Sequence, residues 1–194
     1  MSALKEYYEE LVGLYGFACE AGAAFHQWQT HLQSKVVDNS NTNPRNKMFF
    51  GRQDPNDADA QHQYSITFGE LITRAQKDGR NQMLIRRMVI TLSFALWEDE
   101  YRGKIAVECG LSDRNEVKSD VFYDLNKYRQ AILHASGRLD REPKALDFFK
   151  KGETVEISEA QIYGLIKVLV DELNRISEVY YQEKGEFSLD RGFS

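Results

Sequence analysis

Residues 124–140 read DLNKYRQAILHASGRLD, and this stretch sets the fold class. With Val121 ahead of it, Leu125, Tyr128 and Ile132 recur at steps of four, three and four, which is one apolar stripe of an α-helix. Gly137 marks the end, because glycine enters the left-handed conformation that closes a helix without a Cβ penalty. The spacing predicts a helix from about Asn115 to Ala135.

Working outward, three more helices follow from the same logic. Upstream, Ile85, Met88, Leu92, Ala95, Leu96 and Ile105 supply the buried face expected of a helix over about 81–109, with Gly110 as its stop. Downstream, Ser158 and Gln161 have the spacing of a capping box, in which hydroxyl and amide satisfy each other's free backbone N–H groups. That helix continues through Ile162, Leu165, Ile166, Leu169, Leu173 and Ile176 to about Tyr181. At the start of the chain, Leu4, Tyr8, Leu11, Tyr15, Ala18, Gly22, Phe25 and Leu32 predict one long helix over 4–32. Residues 34–65 break the pattern with asparagine, aspartate and two prolines; within them Lys47–Phe50, with Tyr64–Phe68 just beyond, has the character of two short paired strands. Residues 138–157 read as irregular and 185–194 as a frayed tail. The expected architecture is an all-α, up-and-down bundle forming a single domain over 1–194, with 34–70 as a long polar loop or small insertion.

Charge and cysteine content narrow the function classes. The formal net charge of -5 argues against an extended nucleic-acid surface on the molecule as a whole. Only the middle third is net positive: residues 70–141 carry 13 Lys and Arg against 11 Asp and Glu. The two cysteines, Cys19 and Cys109, make no disulfide framework. The first residues, MSALKEYYEE, lack the basic and apolar runs of a signal peptide, and no stretch reaches the roughly 20 apolar residues of a membrane span. A cytoplasmic protein with no membrane association is the expectation. Neither metal-ligand spacing nor GxxxxGK[ST], GxGxxG or GxSxG occurs, so no cofactor or metal is expected.

Inside the opening stretch, Arg129 and His134 bracket four residues near a helix end. This resembles the RxxxxH signature of HEPN domains. In that family a polar residue, often asparagine, follows the arginine; here it is Gln130. The preceding long helix carries an aromatic-acidic element, Leu96-Trp97-Glu98, and an extended segment, 153–157, precedes the last helix, both as in the family. The resemblance covers roughly 81–182. It implies a HEPN-like bundle, a homodimer whose two motifs face each other, and a metal-independent RNA endonuclease leaving 2',3'-cyclic phosphate ends. It further implies a toxin, antiviral or stress effector, with an antitoxin or regulatory protein as a partner.

On that reading Arg129 would hold the phosphate, His134 would transfer protons and Gln130 would bond the phosphate or orient His134. Glu98 and Trp97 would support them. Lys127, Arg138, Arg141, Arg102 and Lys104, with Arg86 and Arg87, would follow the RNA backbone. The plain structural alternative pairs Arg129 with Asp124 or a surface acid and leaves His134 as a helix C-terminal cation. A non-catalytic HEPN module binding RNA, a nucleotide or a protein is a further alternative. Helical geometry adds a demand of its own. Positions five apart differ by about 140° around the axis, so one uninterrupted helix splays Arg129 and His134.

Overall fold

The computed structural model describes residues 2–38, 43–51, 62–134 and 137–189. They form helix α1 (Ala3–Asp38), strands β1 (Lys47–Gly51) and β2 (His62–Thr67), and helices α2 (Phe68–Ala75), α3 (Arg80–Leu96), α4 (Arg102–Glu108), α5 (Asp120–His134) and α6 (Glu159–Ile176). The fold is therefore mainly helical, with one antiparallel hairpin that pairs Lys47 with Thr67 and Phe50 with Tyr64. The strand pair expected from the sequence is present, and α2 is an additional element that the sequence pattern does not predict. No helix among the described residues is long and apolar enough to cross a membrane.

By its contacts the described chain forms two compact units, 1–19 with 83–194, and 20–82. The smaller unit has a modest core of Leu32, Ile66 and Leu71, with Met48, Phe68 and Ile72 against it. Thr67 caps α2 by accepting from the Glu70 N–H at 3.1 Å.

The larger unit is built around α3 to α6 and the start of α1. Leu4, Tyr7 and Leu11 of α1 are fully buried, so the stripe turns on Tyr7 rather than Tyr8. The Tyr7 hydroxyl donates to the Ser93 carbonyl at 2.8 Å, which satisfies a polar group inside the core. Trp97 and Phe122 stack with ring centroids 3.9 Å apart and planes 3° from parallel.

The expected buried face of α3 is a correction. Met88 and Leu92 are exposed (43% and 42%), and the core takes Val89, Ile90, Phe94 and Trp97 instead. The cause is that α3 is apolar on opposite sides, so periodicity alone identifies two candidate stripes. The helix also changes pitch: Trp97–Tyr101 form one π-helical turn, with the Arg102 N–H donating to the Trp97 carbonyl, before α4 resumes.

Helix ends follow the sequence more closely. After α4, Gly110 takes a φ of 69°. Its N–H donates to Val107 at 3.1 Å while Leu111 N–H reaches Ala106 at 2.8 Å, a Schellman arrangement. Helix α5 starts at Asp120 rather than near Asn115, because Arg114–Glu116 form a separate 3-10 turn with its own capping box. Gly137 has a φ of 84° and donates its N–H to Ala131, closing α5 as its sequence foretold. Both bonds of the Ser158–Gln161 box are formed at the start of α6. Residues 185–189 are not frayed: Asn174 exchanges two hydrogen bonds with the Phe187 backbone, at 2.9 and 3.0 Å, and Leu189 is buried. Residues 190–194 lie outside the described part.

Candidate functional site

A cleft of about 980 Å³ opens in the larger unit. Its walls come from the end of α3, the π turn, the start of α4, the segment 117–119, α5, residues 144–145 and α6. Two features distinguish this cleft. One is the π turn at Trp97–Tyr101, a distortion that recurs at functional sites because it re-aims side chains. The other is a pair of buried polar atoms that no protein group satisfies.

Arg129 is the first. Its guanidinium lies over the Phe94 ring, 5.7 Å from the centroid, and its Nε is buried without a hydrogen-bond partner. Asp124 does not take it, contrary to the plain structural alternative. That carboxylate, fully buried, is occupied by the Lys127 ammonium at 3.2 Å and by the N–H groups of Lys144, Ala145 and Leu146 at 2.6, 2.6 and 3.1 Å. Asn126 is the second. It lines the same cleft one helical turn before Arg129, and its Oδ1 is buried without a donor.

The charges around them are mostly matched. Arg102 pairs with Glu98 at 2.9 Å, Lys144 with Asp120 at 3.0 Å and Arg175 with Glu172 at 2.7 Å. Among the described residues, Arg129 and Lys118 have no acidic partner in the lining. The cleft is therefore locally positive in an acidic protein, and suited to an anion.

The sequence candidates separate clearly. Arg129 and Gln130 line the cleft, as do Trp97 and Glu98. Trp97 is a core residue with one edge on the cleft, being 1% exposed. Glu98 holds Arg102 and lies 3.6 Å from Arg114, so it braces the π turn and the 3-10 turn rather than orienting Arg129. His134 stands exposed at the end of α5 and is not part of the lining. Within the chain Arg129 thus lines the cleft and His134 does not, as the helical geometry implies.

The basic candidates do not form one track. Lys127 is buried, held by Asp124, by the Glu142 carbonyl at 3.0 Å and over the Tyr123 ring at 4.3 Å. Arg86 is buried and donates to the Ile157 carbonyl at 3.2 Å. Arg87 has a buried, unpartnered Nε of its own, outside the cleft. Arg102 lines the cleft, paired with Glu98, and its Nε donates to the Val117 carbonyl. Lys104 is taken by Glu100 at 2.7 Å. Arg138 is exposed in an isolated bridge to Thr154, and Arg141 is exposed, 3.9 Å from Asp140.

Sequence reading missed Phe94, Lys118, Asn126, Lys144 and Arg175. Asn126 had a signal: it lies three residues before Arg129, which puts the two on neighbouring positions of one helix face. Lys118, Lys144 and Arg175 come from other parts of the chain and carry no local mark. Both cysteines are free thiols, Cys19 exposed and Cys109 half-buried. Among the described residues no three His, Cys, Asp or Glu side chains gather as a metal site would require. Comparison with models of known families, with curated proteins and with solved structures gives no match to this chain.

Proposed function

We propose that this protein is a metal-independent RNA endonuclease of HEPN type, acting as a homodimer with a composite Arg129 and His134 site. The observation that carries the reading is the guanidinium of Arg129, with its Nε buried and unsatisfied inside a locally positive cleft. An unpaired buried donor costs about 1–3 kcal/mol, and a phosphate oxygen would repay that cost.

In the reaction the 2'-hydroxyl oxygen attacks the adjacent phosphorus, the bond to the 5'-oxygen breaks, and a 2',3'-cyclic phosphate and a 5'-hydroxyl result. One imidazole takes the proton from the attacking hydroxyl and another gives one to the leaving oxygen. Imidazole suits both roles because it titrates near pH 6.5. Arg129 offsets the charge that builds on the phosphate oxygens. Since His134 lies outside its own cleft, the reading requires His134 of a second copy, or a rearrangement of the α5 end.

The test is to incubate purified protein with RNA in chelator and look for cyclic phosphate ends. Cleavage that disappears in both Arg129→Ala and His134→Ala supports the proposal; intact RNA on all substrates, or cleavage indifferent to both changes, sinks it. A second reading, a non-catalytic RNA-binding module, draws on the exposure of His134 away from the cleft. It expects Arg129-dependent RNA binding with no cleavage.

A further inference from the structure

Asn126 and Arg129 present a matched pair of unmet demands. Buried polar atoms are nearly always paired, yet here one acceptor, Asn126 Oδ1, and one donor, Arg129 Nε, have no partner within the protein, and both residues line one cleft. Their positions differ by three along α5, which sets them on adjoining positions, about 4.5 Å apart in rise and roughly 60° around the axis. A bare anion meets only half of this. Phosphate oxygens accept from Arg129 but have no hydrogen for Asn126, so a phosphate alone leaves the amide oxygen buried and unpaired. A ligand with a hydroxyl donor next to an anionic group meets both demands and would displace the water that could otherwise bridge them. In ribonucleic acid the 2'-hydroxyl stands beside the 3'-phosphate on the same sugar; DNA has the phosphate and lacks the hydroxyl.

We infer that Asn126 is the residue by which this cleft selects RNA over DNA, its Oδ1 accepting from the 2'-hydroxyl of the nucleotide whose 3'-phosphate Arg129 holds. The inference rests on the RNA reading of the cleft given above. It assigns Asn126 a positioning role as well: the amide is no base, but accepting from the 2'-hydroxyl fixes its oxygen beside the phosphorus it attacks. The neighbouring lining fits a sugar-phosphate unit, with the Phe94 ring under the guanidinium and Lys118 free of any acid in the lining.

The experiment measures binding with the full chain carrying His134→Ala, so that no probe is cut. One short sequence is prepared as RNA, as 2'-fluoro RNA, which lacks the donor while keeping an RNA-like sugar, and as DNA. The expected result is RNA bound about tenfold tighter than 2'-fluoro RNA or DNA, the size of one lost buried hydrogen bond. Asn126→Leu is expected to bring RNA down to the 2'-fluoro affinity while leaving the 2'-fluoro and DNA affinities where they were. A merely structural role would weaken all three probes together, and that result overturns the inference. So does equal binding of RNA and 2'-fluoro RNA before any change at Asn126. If Asn126→Leu melts early, Asn126→Ala takes its place under the same criteria. His134-dependent cleavage by the unmodified protein with no Asn126-dependent discrimination defeats this inference alone. Absence of any binding sensitive to Arg129→Ala defeats the RNA reading beneath it too.

Discussion

The two sides of α5 handle polar groups in opposite ways. On one, Asp124 saturates itself against a lysine and three backbone N–H groups and pins residues 144–146 to the helix. On the other, Asn126 and Arg129 keep buried atoms without a partner in the protein. Both sides belong to one helix of 15 residues, so neither hydropathy nor helix propensity accounts for the contrast. The closed side is what a fold needs for stability. An open side costs stability, and persists where a ligand closes it.

The strongest way to break this comparison is at the closed side. Asp124→Ala strands the Lys127 ammonium and three N–H groups, and should cost about 3–5 kcal/mol, the range for breaking a buried ion pair. A chemical denaturation curve reads it directly; a loss below about 1 kcal/mol would mean that the carboxylate is not the anchor it looks to be.

At the open side the signs should reverse. Arg129→Met should lower cleavage on the order of a hundredfold or more, as loss of a transition-state charge donor does. Its stability should hold or rise by up to about 1 kcal/mol, since a buried unpaired donor is removed. Melting curves and initial rates on the same preparation test both halves. A large drop in stability would place Arg129 with Asp124 on the structural side.

The smallest effect should come from a closed carboxylate at the surface. The Ser112 hydroxyl and the Asp113 N–H hold the Glu116 carboxyl below the usual carboxylate range. Its folded state binds a proton less readily than the unfolded chain. Any stability it gives is present above the unfolded value and fades as pH falls through the folded one. Glu116→Gln should therefore shift the urea midpoint slightly at pH 7, and by progressively less as pH falls below the usual carboxylate range. A shift that stays the same as pH falls would deny the charge any role.

What could be read in advance divides along physical lines. Gly110, Gly137 and the Ser158–Gln161 box declare themselves because a helix end is decided within a few residues by backbone conformation and local hydrogen bonds. Val121, Leu125, Tyr128 and Ile132 of α5 gave a usable stripe for the same reason. Met88 and Leu92 misled because apolar residues on two sides of α3 make the buried one a tertiary choice. The site was half legible. Arg129 was visible as part of a spacing, whereas the cleft walls around it come from six other segments, and absence of a partner has no sequence signature. The exposure of His134 was foreseeable as an angle and not as a surface.

The π turn at Trp97–Tyr101 also has a genetic consequence. Such a turn accommodates one more residue than α-helical winding would, so it is the place where a helix tolerates losing one. Deleting a single codon within 97–101 should leave a continuous α-helix that still folds. Because the wide turn already absorbs the extra residue, the helix beyond it would stay close to its present register. The change would be confined to the turn itself, where Trp97 and Glu98 face the cleft. A chain carrying that deletion would keep its helices and its packing while reshaping one wall of the cleft, which makes the turn a point where descendants of this sequence could part in function while agreeing in fold.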